Sequence, residues 1–430
     1  MASSRKSQQS PKPGKRIAVA LSGGLDSVVL LDTVCKIQAS NKSPAEIWAF
    51  HIHHGLQKPA DDWFIFCEKL AKKYKIHFDF RLLHLGNEAT QGNIEARARA
   101  GRYEALAELC AEHGIEDLLL AHHQNDQAET VLLQLLRGAG VAGLAAMSEV
   151  RELSAGNKTV QLWRPLINQS KAELEAYAKA NKLKWIEDPS NQDTQYRRNA
   201  IRKKIIPLLE KIQPDAVASL SRSAKVLAET QTLLDRLAMQ DGNTVLERDA
   251  LKVKPLLALA KKDLPAANNL VRFWLKSHGL AMPSQERLAS WWKDLSAVKV
   301  DAKLEWLHDE LKIRLWRGLL QVSEAKTGEW TFQKVSTRSK TPGLPAKWLQ
   351  EAQTNGQISL KPRAGSEKIQ IKANTPRRSL KNLYQEADVP PWQRQAPLLF
   401  INGELIAVAG IGVSYPHLVE AGPRLMPEWG

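Results

Sequence analysis

Short apolar runs alternate with longer amphipathic stretches between Arg16 and about Leu209. Four of the runs have the length and composition of buried strands: RIAVALS, EIWAFHIHHG, IHFDFRLLHL and DLLLAHH. Apolar residues recur every three or four positions in the stretches between them, which predicts helices. Strands separated by helices imply parallel pairing through right-handed crossovers. The pattern therefore predicts a doubly wound parallel-sheet α/β domain, with ligands bound beyond the carboxyl ends of the strands.

The pattern changes after Pro214. A long helical stretch, PDAVASLSRSAKVLAETQTLLDRLAMQ, is followed by two shorter helical ones and the strand-like LEWLHDELKIRLWRGLLQVSE, which together predict a mainly helical domain over 215–325. The segment 326–356 is rich in Lys, Thr, Pro and Gly, as is typical of a linker. From Gln357 onward, mixed helix and strand signals with the hairpin turn INGEL predict a small α+β C-terminal domain over 357–430.

The net charge of the chain favours a polyanionic partner. The chain has 61 Lys and Arg against 46 Asp and Glu, a formal net charge of +15, and nucleic acid is the leading candidate for such a partner. Residues 1–15 are basic and polar without an apolar segment, which predicts a disordered tail and not a signal peptide. No apolar run is long enough to cross a membrane, so we expect a cytoplasmic protein.

The three cysteines, Cys35, Cys67 and Cys110, are far apart and form no C-x-x-C pair. This spacing argues against a disulfide framework, a zinc knuckle and thiol-based sulfur transfer.

The loop SGGLDS, from Ser22 to Ser27, joins the first strand to the first helix and has the features of an anion-binding turn. Gly23 and Gly24 permit a close backbone approach, and the helix that begins near Asp26 offers unpaired N–H groups at its positive end. The loop lacks the lysine of a Walker A motif, and Asp26 suits a phosphate site only if a cation such as Mg²⁺ is present. A plain strand–helix turn capped by Asp26 explains the SGG pair equally well.

The segment AHHQNDQAET contains a second candidate site. Asp126 and Glu129 lie three residues apart at a helix start, on one face, and could bind a cationic group or simply favour the helix N-terminus. His122 and His123 end the preceding strand and point to opposite faces, so we expect one to pack and the other to face the cleft.

Two pairs of arginines are candidates for phosphate contacts. Arg99 and Arg102 share a helical face in EARARAGRYEAL, and Arg198 and Arg202 belong to the basic helix RRNAIRKK. Guanidinium groups match phosphate bidentately, which favours a nucleotide or nucleic-acid contact. A solvated basic face is the alternative for each pair.

Taken together and in this order, the motifs resemble the tRNA(Ile)-lysidine synthetase family of PP-loop ATP pyrophosphatases. The motifs that carry this resemblance are SGGLDS, HIHHGL, ARAGRY, AHHQNDQAET, RPL and DPSNQDTQYRRNAIR, with LKNLYQEADVPPWQR and PLLFINGELIAVAGIGV nearer the C-terminus. The resemblance implies a PP-loop catalytic domain over 16–214 and tRNA-binding domains over 215–325 and 357–430. One departure is Ser366 in RAGSE, where a second glycine is expected.

The resemblance also implies the reaction. Such enzymes are bacterial, cytoplasmic ligases that join L-lysine to C2 of the wobble cytidine of the isoleucine tRNA with a CAU anticodon. The reaction proceeds through an adenylated tRNA and converts ATP to AMP and diphosphate with the help of Mg²⁺. A homodimer is compatible with the family.

The roles implied for individual residues follow from the same resemblance. Ser22, Gly23, Gly24, Leu25, Asp26 and Ser27 would bind ATP, with Asp26 helping to hold Mg²⁺. Asp126 and Glu129 would bind lysine, one of them as a base, with His123 positioning it. Arg99 and Arg102 would contact the ATP phosphates or the cytidine nucleotide, and Arg198 and Arg202 the adenylated nucleotide or the tRNA backbone.

Two other functions remain open from the sequence. A sibling enzyme that thiolates tRNA commonly uses paired cysteines, which are absent here. A non-catalytic tRNA-binding protein on the same scaffold is disfavoured by the intact SGGLDS loop and the acidic pair.

Overall fold

A computed structural model describes residues 15–40, 45–53, 59–83, 94–155, 158–189, 193–298, 304–323, 328–336 and 339–430. Of the predicted N-terminal tail, residues 1–14 lie outside the described residues. The chain divides into two compact units, Met1–Arg236 and Leu237–Gly430. Among the described helices, none is long and apolar enough to cross a membrane.

The first unit is built on a six-stranded sheet in the order β3-β2-β1-β4-β6-β5. Its strands are β1 (Arg16–Ala20), β2 (Glu46–His53), β3 (His77–Leu82), β4 (Asp117–Leu119), β5 (Val150–Ala155) and β6 (Lys158–Trp163). All neighbours pair in parallel except β5, which runs antiparallel to β6 at the edge. The predicted doubly wound α/β fold is confirmed, and the β5–β6 hairpin is an addition that the sequence analysis did not contain.

Helices cover both faces of this sheet. The helices that precede α9 are α1 (Leu25–Ser40), α2 (Pro59–Tyr74), α3 (Ile94–His113), α4 (Gln124–Leu135), α5 (Val141–Leu144), α6 (Lys171–Ala180), α7 (Arg197–Ala200) and α8 (Ile206–Ile212), with a π-helical turn over Ile201–Ile205 between α7 and α8. Side chains alternate along β1, so that Val19 packs in one core with α1 while Ala18 packs in the other with α3. This alternation explains why β1 is apolar at successive positions.

The topology determines where the site lies. Strands β1 and β4 are adjacent and parallel, so their carboxyl ends meet at one edge of the sheet. The SGGLDS loop follows β1, and the His122–His123 pair follows β4. The start of α1 and the start of α4 are therefore neighbours, as expected for a doubly wound sheet.

The second unit begins within α9 (Ala216–Val245), the long helix predicted from the sequence. Helices α10 (Val253–Lys262), α11 (Leu264–Ser277) and α12 (Gln285–Ala297) follow it. They pack with an antiparallel sheet of β7 (Leu246–Glu247), β8 (Ala250–Lys252), β9 (Glu305–His308), β10 (Leu311–Trp316) and β11 (Leu319–Ser323). Tryptophans dominate the shared core, where the rings of Trp291 and Trp306 stack with centroids 4.7 Å apart.

The segment 326–356, expected to be a linker, is corrected by the structure, because its described residues contain regular elements. These are β12 (Trp330–Val335), β13 (Leu344–Pro345) and α13 (Ala346–Thr354), and both strands pair with the terminal strand β20 (Arg424–Trp429). The β12 partner lies almost 100 residues away, so the local Lys- and Thr-rich composition hid the alternating Trp330 and Phe332.

The C-terminal region combines helices with small antiparallel sheets, in agreement with the predicted α+β class. Its remaining elements are β14 (Ile358–Lys361), β15 (Lys368–Ile369), β16 (Arg378–Ser379), α14 (Leu380–Glu386), β17 (Leu398–Ile401), β18 (Glu404–Val408) and β19 (Gly412–Val413). The predicted INGEL hairpin joins β17 to β18. Asn402 and Gly403 have φ angles of 54° and 78°, the left-handed pair that a two-residue hairpin requires.

Candidate active site

Gly23 shapes the SGGLDS loop. Its φ is +85°, and a Cβ added there would lie 3.2 Å from Cys67 Sγ and 3.4 Å from Phe66 Cδ1. Its carbonyl oxygen accepts a hydrogen bond of 2.9 Å from the Ile186 N–H. The loop is thus fixed against α2 and the segment after α6, and both conformation and space require glycine.

The two serines of the loop face each other at its opening. Ser22 Oγ and Ser27 Oγ are 3.1 Å apart, and Ser27 Oγ donates to the Gly24 carbonyl at 2.9 Å. Ser22 is exposed whereas Ser27 is buried. Helix α1 begins at Leu25, and Ser22 Oγ lies 3.4 Å from the Gly24 N just before it, so the hydroxyl and the free N–H groups of the helix start are neighbours, as an anion site needs.

His51 supports the loop from β2. Its Nδ1 lies 2.8 Å from the Leu21 carbonyl oxygen, directly before the loop. Burial lowers the pKa of His51, partly opposed by that hydrogen bond, so the ring is neutral and donates from Nδ1. His53 pairs with Asp61 at 3.2 Å. Neither histidine belongs to a metal-type cluster among the described residues.

His123 connects the loop to the acidic pair. It is the N-cap residue of α4, and its Nδ1 accepts a hydrogen bond from the Asn125 N–H at 3.2 Å. The proton of the ring therefore lies on Nε2, which is 3.6 Å from Asp26 Oδ2 and 3.5 Å from Asp126 Oδ2. Burial alone lowers the pKa of His123, but the surrounding carboxylates of Asp26, Asp126 and Glu129 outweigh it and raise the pKa.

His122 points to a different set of side chains. Its Nδ1 accepts a hydrogen bond of 3.3 Å from Arg164 Nε. Burial and the nearby positive charges of Arg164, Arg198 and Arg99 lower its pKa to about 3. It is therefore a neutral ring that helps to hold Arg164 in place, while His123 is the histidine that faces the loop.

Asp126 and Glu129 form an ion-pair cluster with the arginines of the later basic helix. Arg198 Nε donates to Glu129 Oε2 at 2.6 Å, and its second nitrogen reaches Asp126 Oδ1 at 2.8 Å. Arg202 binds both oxygens of Glu129, at 2.5 and 3.0 Å. The Glu129 side chain is fully buried. Burial alone raises the pKa of Asp126, but His123 and Arg198 more than offset it, so the carboxylate stays ionised.

The helix that contains the π turn carries both of these arginines. Arg198 lies in α7 and Arg202 within the π turn, and the continuous helix presents both to Glu129. A π turn inside a helix is rare and is often found at functional sites.

A second group of arginines surrounds Tyr103 on α3. The Arg99 and Arg151 guanidinium groups lie 5.8 and 5.9 Å from the ring centre. Burial raises the pKa of Tyr103, but the positive charges of Arg99 and Arg164 have the larger effect. The pKa is therefore lowered overall. Arg102 is exposed, but desolvation by neighbouring protein groups, together with the charges of Arg99 and Arg198, lowers its pKa. Such crowding of like charges favours an anionic ligand.

Comparisons with known proteins identify the family. Three family models match the chain: a PP-loop domain over residues 1–209, a TilS substrate binding domain over 255–321 and a TilS substrate C-terminal domain over 358–425. A tRNA(Ile)-lysidine synthase from Nitrosomonas europaea is 36% identical over 97% of this chain and 92% of its own length. The chain belongs to the tRNA(Ile)-lysidine synthase family. A second relative with this name, from Burkholderia pseudomallei, is 36% identical over 93% of this chain and 89% of its own.

Membership of the tRNA(Ile)-lysidine synthase family confirms the function and the ligase class predicted from the motifs, with ATP and a tRNA as the implied substrates. Among solved structures, a U34-tRNA thiolase from Methanococcus maripaludis aligns with 51% of this chain and 73% of its own, at 21% identity and a TM-score of 0.44. That score is too low for the alignment to add to the assignment.

The cysteines agree with the tRNA(Ile)-lysidine synthase assignment and not with sulfur transfer. Burial raises the pKa of Cys67 and Cys110 to about 12 and that of Cys35 to about 11. Reactive thiols require a pKa below that of a free cysteine. These thiols stay protonated at neutral pH, and Cys67 instead packs beside Gly23.

Sequence reasoning proposed roles for the residues of the loop and of the acidic pair but none for the residues that hold them. The loop is shaped by contacts with Cys67, Phe66 and Ile186. Arg164 belongs to the group of arginines around Tyr103. Of these, only Tyr103 and Arg164 had a signal in the sequence, because Tyr103 lies in the motif ARAGRY and Arg164 in the motif RPL.

Proposed function

We propose that this chain joins L-lysine to C2 of the wobble cytidine of the CAU-anticodon isoleucine tRNA in two steps at one site. In the first step the C2 oxygen attacks the α-phosphorus of ATP, a new P–O bond forms, and diphosphate leaves. In the second step the lysine ε-amine attacks C2, the C2–O bond breaks, and AMP leaves with that oxygen. The ammonium of lysine, with a pKa of about 10.4 in water, gives up its protons on the way.

One observation carries this proposal beyond the family match. His123 lies between Asp26 of the loop and Asp126 of the acidic pair, within 3.6 Å of both. The opening proposed to bind phosphate and the pair proposed to bind an ammonium therefore lie side by side. A reaction that first releases diphosphate and then admits an amine needs this adjacency.

The loop supplies the nucleotide side of the site. The N–H groups at the start of α1 and the Ser22 hydroxyl would stabilise the phosphates and the departing diphosphate, an electrostatic effect that is usually the largest contribution to catalysis. Gly24 precedes α1 and has no Cβ that would keep a phosphate away from the backbone N–H groups.

Asp26 fits a role in holding Mg²⁺. Its Oδ1 is buried and has no hydrogen-bond partner among the described residues, so a carboxylate oxygen is free for a cation beside the phosphate opening. Carboxylate oxygens are preferred ligands of Mg²⁺. Mg²⁺ bound to Asp26 would neutralise phosphate charge as diphosphate leaves.

The acidic pair supplies the lysine side, and its arginine partners imply an exchange. Asp126 and Glu129 hold two guanidinium groups where the proposed lysine ammonium would bind. Arg198 and Arg202 would transfer to the phosphate of the adenylated nucleotide, and lysine would then take their place. Because the pKa of Asp126 is lowered, its carboxylate is a weak base, and we assign it to binding the ammonium.

The remaining assignments concern the wider surface. Arg99 and Arg102, which lie in the group of arginines near Tyr103, would contact the ATP phosphates or the cytidine nucleotide. The regions 215–325 and 357–430 would bind the tRNA, supported by the family-model matches within them. We also propose a cytoplasmic location and a homodimer, the latter measurable by sedimentation.

The direct test is ATP-dependent incorporation of labelled lysine into two CAU-anticodon transcripts, isoleucine and elongator methionine. Labelling of the isoleucine transcript alone is expected. Asp26→Asn should abolish AMP release, since the carboxylate charge beside the phosphates is lost, while tRNA affinity stays within about twofold. AMP release on another tRNA without lysine incorporation would preserve the role of the loop and refute that of Asp126 and Glu129.

A further inference from the structure

The tautomer of His122 is determined by its neighbour Arg164. His122 Nδ1 accepts a hydrogen bond of 3.3 Å from Arg164 Nε. A guanidinium group is always protonated in proteins and can only donate. A ring nitrogen that accepts a hydrogen bond carries no proton, so the imidazole of His122 is neutral and its single proton lies on Nε2. Burial and the nearby arginines lower the pKa of His122 to about 3, which agrees with a neutral ring.

The guanidinium group of Arg164 is itself held in place. Only 2% of the residue is exposed, and its Nη1 donates to the Ser148 carbonyl oxygen at 2.6 Å. It also makes a hydrogen bond to the side chain of Tyr103. Because these partners fix the direction in which Arg164 donates to His122, the fold itself selects the tautomer of His122.

The Nε2–H group of His122 is open to a ligand. No hydrogen bond of this nitrogen is found among the described residues, where the ring bonds only through Nδ1. The residue is partly exposed, and Nε2 is not one of the fully buried unpaired atoms of the described chain. His122 therefore presents a hydrogen-bond donor, and no acceptor, on the solvent side of the ring.

This donor lies where the two halves of the proposed reaction meet. His122 directly precedes His123, whose Nε2 is 3.6 Å from Asp26 Oδ2 and 3.5 Å from Asp126 Oδ2. Besides burial, the charges of Asp126 and Arg198 act on the pKa of His122, so its ring lies near both residues. The proposed reaction needs the wobble cytosine between the nucleotide loop and the acidic pair, which is where this donor is available.

The edge of cytosine offers two acceptors to such a donor, the C2 oxygen and N3. The C2 oxygen is the nucleophile of the proposed first step, and a hydrogen bond to it would weaken its attack. Donation to N3 leaves that oxygen free and withdraws electron density from C2, which favours attack by the amine in the second step. We infer that His122 determines specificity for the wobble base by donating a hydrogen bond from Nε2 to N3 of cytosine. This inference rests on the proposed function.

A fixed donor at this position distinguishes cytosine from uracil. N3 of cytosine accepts a hydrogen bond, whereas N3 of uracil carries a proton and donates. Two donors that face each other both stay unpaired, which should lower the reaction of uracil about 10- to 100-fold relative to cytosine. A histidine that could exchange its tautomer would accept from uracil as readily as it donates to cytosine. The discrimination therefore depends on Arg164 as a positioning residue.

The first test measures ATP-dependent diphosphate release with two isoleucine tRNA transcripts that differ only in the wobble base, cytidine or uridine. His122→Met should reduce the preference in kcat/KM for cytidine about 10- to 100-fold. His122→Gln is the matched variant, because its amide can accept from Arg164 and donate from the other end. It should keep the preference within about threefold. An unchanged preference in His122→Met, or an equal loss in His122→Gln, would overturn the inference.

Arg164→Met tests the tautomer without changing His122. With Arg164 removed, Nδ1 can carry the proton and Nε2 can accept from uracil, so the preference for cytidine should fall about 10-fold. Arg151→Met is the matched control, because Arg151 lies 5.9 Å from the Tyr103 ring centre but is exposed and makes no hydrogen bond to His122 in the described structure. It should leave the preference within about twofold. If Arg164→Met behaves like this control, the tautomer does not set the specificity.

Nitrogen NMR of the full chain with labelled histidine detects the tautomer directly, with His122→Met as the reference that assigns the signal. The expected state of His122 is a neutral ring with its proton on Nε2. A proton on Nδ1, or on both ring nitrogens, contradicts the inference whatever the activity of the chain.

A transcript with 3-deazacytidine at the wobble position isolates the contact, because a C–H group replaces N3. Relative to cytidine, the wild-type chain should lose about 10-fold more activity on this base than His122→Met does. The ratio in His122→Met reports the intrinsic reactivity of the altered base. Equal ratios in the two proteins would exclude a hydrogen bond to N3.

The carboxylate of lysine is the competing acceptor for the same donor. If His122→Met raises the KM for lysine about 10-fold and keeps the preference for cytidine, Nε2 binds that carboxylate and the base-reading role is overturned. A wild-type chain that releases diphosphate with neither transcript would refute the proposed function and, with it, this inference. A wild-type chain that prefers cytidine and incorporates lysine, beside His122 and Arg164 variants with the same preference, would refute this inference alone.

Discussion

At the scale of single residues, Gly23 is the position on which the nucleotide loop depends most directly. Its backbone is left-handed, and the space beside it is filled by Cys67 and Phe66. Gly23→Ala should therefore destabilise the protein by about 1–3 kcal/mol and sharply reduce ATP-dependent AMP release. Urea denaturation and an AMP assay measure the two effects.

Gly24→Ala is the matched control for stability. Gly24 lies outside the left-handed region, and a Cβ there makes only an ordinary contact with Ser22 Oγ. Its unfolding free energy should stay within about 0.5 kcal/mol of wild type. Equal losses in both variants would show that left-handed backbone at Gly23 is not the constraint.

At the scale of elements, Arg202 ties the π-helical turn to α4 through the fully buried Glu129. Arg202→Met should lower the unfolding free energy by about 2–4 kcal/mol, because it leaves a buried carboxylate with only Arg198 as its partner. Arg197→Met, one helical turn earlier and exposed, should cost less than about 0.5 kcal/mol. The double variant Glu129→Gln/Arg202→Met also removes the buried carboxylate charge. It should therefore recover part of the lost unfolding free energy.

The same variant tests the proposed exchange between arginine and lysine. Arg202 and the lysine ammonium would compete for Glu129, so millimolar L-lysine should raise the melting temperature of Arg202→Met more than that of wild type. Ornithine, which is one methylene shorter, serves as the comparison ligand. An equal response of both proteins to lysine would place lysine elsewhere.

Which elements could be predicted depended on how local their signals are. Strand β1, helix α9 and the Asn402–Gly403 turn follow from patterns a few residues long, and all three were predicted. The contacts of Glu129 with Arg198 and Arg202 span 69 and 73 residues, and nothing at either position reveals the other. The strand β12 was missed for the same reason, since its partner is the end of the chain.

The site shows the same limit. The residue types of the loop, of the acidic pair and of the basic helix were predicted, because their chemistry is written in short motifs. The sequence could not show that two of these motifs neutralise each other. It also could not show that four side chains from separate elements lie side by side, namely Trp316, Arg363, Tyr384 and Arg394.

At the scale of the whole molecule, the charge of the chain and the buried charges of its site should respond differently to salt. The formal charge of +15 spreads over surfaces that are screened within about 8–10 Å at physiological ionic strength, whereas Glu129 is shielded from solvent. Raising the salt from 50 to 200 mM should weaken tRNA binding about 100-fold or more, as expected if about four or more phosphates are neutralised. The KM for lysine, measured at saturating tRNA, should change less than about threefold, because a buried ion pair is screened much less. If the two constants rise together, the lysine ammonium binds at an exposed site, and Asp126 and Glu129 then serve only to anchor Arg198 and Arg202.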